Sequence, residues 1–109
     1  MNNSKGESSS VVAARVMRTR EIQRERFSGE GIFCNAQMNN RMMKKYCPLD
    51  SQCRDFLNRI CERMGLSARA CMKIIRLART IADMDRAENI RVEHLSEAVS
   101  YRFLDRSDV

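Results

Sequence analysis

The sequence has no tryptophan, one proline, one histidine and four glycines in 109 residues, and only 6% of it is aromatic. With so few turn residues, and no alternating apolar–polar run between turn signals, a hairpin-built β fold is excluded. Zinc ligand sets arrive as closely spaced pairs, and the five cysteines (Cys34, Cys47, Cys53, Cys61, Cys71) contain no C-x-x-C, so no metal is expected. No apolar run approaches about 18 residues and no secretory h-region is present, so neither a membrane span nor export is indicated. The cysteines, odd in number, read as unpaired thiols in a reducing, cytoplasmic setting, with Cys53 and Cys61 serving as small hydrophobes on a helix stripe. There is no G-x-x-x-x-G-K-[ST], no acidic strand-end residue for magnesium, no nucleophile motif and no carboxylate pair arranged for acid–base work. The glycine break Ser28-Gly29-Glu30-Gly31 is not followed by Lys-Ser or Lys-Thr. Taken alone, the chain is not expected to hydrolyse ATP or anything else.

What the chain does have is charge and helical periodicity. Its length suits one domain with an ordinary core. Net charge is +6 with a pI near 9.4, which fits either a polyanionic partner such as nucleic acid or a solvated basic surface. The expected fold is all-α, a small bundle of four to five helices spanning residues 8–106, with a disordered lead at 1–7 and a frayed tail at 107–109.

The most strongly marked helix begins after Gly65. Ser67 is placed to cap it, and Ala70, Ile74, Leu77, Ile81 and Met84 fall in alternating steps of four and three, which makes one buried stripe. Lys73, Arg76 and Arg79 are expected on the other faces. Arg69 falls in the first turn, where the helix dipole disfavours a cation. Such an arginine is useful where something negative docks, because free amides and a guanidinium can share one phosphate. The preceding helix is capped by Asp50 and carries Cys53, Phe56, Leu57, Ile60, Cys61 and Met64 on its inner face. The short turn between the two helices makes them neighbours, antiparallel or steeply crossed.

A first helix, Val11 to about Phe27, has a less regular apolar edge of Val12, Val16, Ile22 and Phe27. Arg15, Arg18, Arg20, Arg24 and Arg26 surround it and, with Lys44 and Lys45, are the candidate phosphate contacts of a nucleic-acid-binding surface. The same arginines suit an exposed helix with local ion pairs. Asn39 or Asn40 caps a short helix that Cys47-Pro48 ends. The last helix runs from Val92 to about Phe103, with Leu95, Ala98 and Val99 inward and Ile90 packing back on it. His94, in its first turn, is read as a structural hydrogen-bonding residue.

Six words in order, R-E-I-Q-R-E-R-F, C-N-A-Q-M-N-N, C-P-L-D, L-S-A-R-A, A-R-T-I-A-D and V-E-H-L-S-E-A-V-S-Y-R, resemble the C-terminal domain of magnesium-chelatase-related AAA+ proteins of the ComM/YifB type. The resemblance implies the helical lid of an ATPase, folded over nucleotide held by a P-loop core of the same polypeptide. It sets Arg69 at the sensor-2 position, reaching the phosphates of ATP with its Mg2+ in the parent protein. It further implies neighbouring subunits of a hexameric ring and a motor acting on DNA. Cys71 departs from the resembled pattern, which has an aromatic residue there. Two other readings stand beside it: a stand-alone basic module that binds nucleic acid, and a structural or oligomerisation domain.

Overall fold

The computed structural model describes residues 9–107, with side chains described through residue 101. The expected lead at 1–7 lies outside the described residues, as do the last two positions of the expected tail and the side chain of Phe103. Among the described residues there are five α-helices, one 3-10 turn and no strand. The helices are α1 (Ser9–Arg26), α2 (Asn40–Tyr46), α3 (Ser51–Met64), α4 (Ala68–Met84) and α5 (Val92–Ser107), and the 3-10 turn is Asn35–Gln37.

The local signals act as the sequence implies. Asn39 accepts from the Met42 amide to start α2, and Asp50 accepts from the Cys53 amide to start α3. Gly65 closes α3 in the left-handed conformation (φ 64°), which a glycine adopts at no steric cost. Ser67 then accepts from the Ala70 amide at 3.1 Å and opens α4. The last helix runs past the expected Phe103, through Ser107.

Helix α4 is central: α5 packs along it, and α1 and the 3-10 turn lie against its other side. The methyls of Ala78 and Ala82, both fully buried, let neighbouring backbones come close. Helix α3 packs chiefly on α5. There the buried Cys53 thiol meets the Ile90 carbonyl at 3.4 Å, and Ile90 is buried as expected. Met38, Met42 and Met43 are buried and fill the irregular space between α2 and the rest of the core. Phe27 meets Tyr46 edge-on, with ring centroids 5.3 Å apart. The Tyr46 hydroxyl donates to Glu30 at 2.7 Å and holds that carboxyl below its ordinary range.

Three expectations are corrected. The inner line of α1 is Thr19, Gln23 and Phe27, while Val12 is exposed. Polar residues can face inward there because each is satisfied: the Thr19 hydroxyl donates to the Arg15 carbonyl of its own helix, and Gln23 accepts from the Asn35 amide. Arg79 is buried, not on a free face, because the second half of α4 is covered from both sides. Cys61 and Cys71, read as unpaired, are joined by a disulfide with their Cα atoms 6.4 Å apart. The three-residue link Gly65–Ser67 brings the last turn of α3 against the first turn of α4.

Candidate functional site

Arg69 is the second residue of α4, and its side chain is exposed. The first turn holds no acidic residue, so nothing there offsets the positive end of the helix dipole. Ser67 satisfies one of the free amides; the guanidinium of Arg69 has no hydrogen bond or ion pair among the described residues. A cation at a helix start, with amides beside it and no anion of its own, is arranged to meet an anion from outside the domain.

The five arginines of α1 do not share one face. Arg20 and Arg24, four residues apart, form one exposed ridge. Arg15 and Arg18 line a groove of about 710 Å³ together with Arg86, Glu97 and Tyr101. Arg26 is engaged elsewhere: its guanidinium makes a two-pronged bond to Asp83, at 2.7 and 2.8 Å. Lys44 and Lys45 are exposed on α2, and Lys45 pairs with Glu30 at 3.4 Å.

Among the described residues, Asp83 gathers the most densely bonded side-chain group. Its side chain is 1% exposed, Arg79 is 4% exposed and Arg26 15%, so this carboxylate is held by two guanidiniums almost out of water. Asn35 donates to it at 2.8 Å and accepts from Arg26 at 2.9 Å. Gln23 accepts from the Asn35 amide at 3.0 Å. Arg79 reaches on to the carbonyls of Ala87 and Glu88, at 2.8 and 3.1 Å. One cluster therefore ties α1, the 3-10 turn, α4 and the α4–α5 loop together. The bond to Asp83 raises the pKa of Arg26, and these charge-assisted bonds make the cluster a fixed structural joint.

His94 has a structural position too. Its Nδ1 accepts from the Arg91 amide at 2.9 Å, which caps α5, and its Nε2 lies 3.1 Å from Asp85. Asp85, Glu93 and His94 bring ligand-type atoms within 4.8 Å of one another, but the two carboxylates are exposed and both ring nitrogens of His94 are already bonded. No helix among the described residues is long and apolar enough to cross a membrane.

Residues 6–102 match the family described as magnesium chelatase, subunit ChlI C-terminal. The chain belongs to this family. It is 42% identical over 103 residues to YifB of Salmonella typhimurium, a protein described as uncharacterized, covering 94% of this chain and 20% of that protein. It is 41% identical over 101 residues to YifB of Escherichia coli, with coverage of 93% and 19%. Against the competence protein ComM of Haemophilus influenzae it is 37% identical over 102 residues, with coverage of 94% and 19%. The chain thus spans about a fifth of the length of the curated relatives it matches.

Within this ChlI C-terminal domain, the words that carried the resemblance are for the most part fold-holding words. R-E-I-Q-R-E-R-F contributes Gln23 and Arg26, C-N-A-Q-M-N-N contributes Asn35, and A-R-T-I-A-D contributes Arg79 and Asp83. L-S-A-R-A is the exception: Ser67 starts the helix, and Arg69 points out of the domain. Composition and periodicity missed the Asp83 cluster because they place charged residues outside. One signal was present: Arg79 and Asp83 stand four apart among Ala78, Ile81 and Ala82.

Proposed function

We propose that this domain is the lid of a ring-forming AAA+ ATPase that acts on DNA, and that Arg69 is its sensor-2 arginine. The observation that carries the reading is the exposed, unpartnered Arg69 at an acid-free helix start, in a chain of this family. Phosphoryl transfer asks for positioned positive charge on the phosphate oxygens more than for covalent help. A lid arginine supplies that charge and makes lid position depend on whether the γ-phosphate is present. The P-loop core and Mg2+ belong to the rest of the larger protein. The first half of α1 leaves Val11, Val12 and Met17 exposed, apolar side chains that a neighbouring core can cover.

The reading predicts protection at the start of α4. In the full-length protein, amide hydrogen exchange across Ala68–Met72 should slow with a non-hydrolysable ATP analogue and recover with ADP. Equal exchange in all nucleotide states would contradict it.

The exposed ridge of Arg20 and Arg24 favours a second reading, direct binding of nucleic acid by this domain. A salt titration separates the two. A stand-alone DNA-binding module making several phosphate contacts would lose orders of magnitude of affinity for duplex DNA between about 50 and 200 mM salt. The lid reading expects weak binding by this chain at the lower salt and none measurable at the higher, because α1 presents its arginines on separate faces and only the assembled ring encloses DNA.

A further inference from the structure

We propose that Cys61 and Cys71 form a reversible thiol–disulfide clasp across the α3–α4 corner, closed by a small disulfide of the glutathione class and opened by the corresponding thiol. The two residues are bonded in the structure, and their Cα separation of 6.4 Å lies inside the range a disulfide accepts. Both are half-buried and neither is closed off from solvent, so a small reagent can reach them. The other cysteines differ. Cys47 and Cys53 are buried, and burial pushes each thiol up to about 11, which leaves almost no reactive thiolate near neutral pH. Cys34 is half-buried and has no disulfide partner. An oxidant that meets this chain therefore finds one pair able to close.

Reversibility follows from the company the pair keeps. A chain with three unbonded cysteines is suited to surroundings that keep thiols reduced. A disulfide at an accessible corner belongs to the labile class in such surroundings. The chemistry balances by exchange. The thiolate of one cysteine attacks glutathione disulfide, forming a mixed disulfide and releasing one glutathione thiol. The thiolate of the other displaces the second glutathione. The two cysteines lose two electrons and two protons in all, and glutathione disulfide is reduced to two glutathione thiols.

Closure fastens the last turn of α3 to the first turn of α4 and so limits bending at Gly65. Arg69 sits two residues before Cys71 on that fastened turn. The clasp itself does not depend on what Arg69 binds.

The test uses the full chain in glutathione buffers of stepped ratio, followed by acid quenching, alkylation and tryptic mass mapping. A cross-linked pair of peptides, Ile60–Arg63 joined to Ala70–Lys73, should appear as the buffer becomes oxidising and disappear on return. Cys47 and Cys53 should be alkylated only after denaturation. The oxidised chain should melt on the order of 10 °C higher than the reduced one. Cys61→Ser should abolish both the cross-link and the shift, and Cys34→Ser should keep both. A cross-link that survives excess reduced glutathione on the folded chain would overturn the proposal in favour of a fixed staple. Mixed disulfides or free thiols at both positions under oxidising buffer would overturn it as well.

Discussion

Asp83→Ala is expected to destabilise the domain by about 3–5 kcal/mol, because it removes one partner of a buried ion cluster and leaves the other charges behind. Arg79 is 4% exposed and Arg26 15%, so neither cation can turn fully to water. The Asn35 side-chain amide loses one of its two acceptors at the same time, keeping only Thr80. Domains of this size are commonly stable by about 5–15 kcal/mol, so the variant should sit close to unfolding. Urea unfolding followed by circular dichroism measures this directly. Asp83→Asn, which keeps the shape and loses the charge, should fall between the two. Arg26→Ala should cost less than Asp83→Ala, because Arg26 is the more exposed of the two cations and its loss leaves Arg79 paired with Asp83. A loss below about 1 kcal/mol for Asp83→Ala, the worth of a surface pair, would mean that the cluster is not a joint of the fold.

How far the sequence disclosed this molecule depends on which kind of residue made the contact. Where a contact is a local backbone signal or a regular apolar stripe, it was legible. Asn39, Asp50, Ser67 and Gly65 mark element ends by rules that need no tertiary partner. Ile74, Ile81, Leu95 and Ala98 follow from period alone. Arg26, Asn35, Arg79 and Asp83 did not follow, because each takes at least one partner from another element: Asp83 meets Arg26 from 57 positions away, and Arg79 reaches the carbonyls of the α4–α5 loop. Gln23 of α1 was hidden for the same reason, since it bonds to Asn35 of that polar cluster. Thr19 was hidden because its hydroxyl is satisfied by the Arg15 carbonyl of its own helix, which lets a polar residue be buried. The Cys61–Cys71 bond was hidden because the corner that joins them is a matter of helix placement, and their spacing matches no motif.

Arg69 is the opposite case. Its position was readable from the chain, and the fold leaves it exposed and unbonded at the start of the central helix. A residue kept out of the domain's own bonding has no structural need there, so its substitution should leave stability within about 0.5 kcal/mol. Its effect should fall on chemistry. Positioned donors that act on developing charge are worth about 10²–10³ in turnover, or about 2.7–4 kcal/mol. Nucleotide binding draws on many contacts in the core and should change little.

The measurement that bears most directly on the lid reading is therefore ATP binding and ATP turnover, followed separately, in the full-length protein carrying Arg69→Ala. The account predicts near-normal binding with turnover lowered on the order of 10²–10³-fold. Unchanged turnover would contradict it: Arg69 would then be a solvated surface arginine, and the exposed ridge of α1 would become the better place to look for this domain's partner.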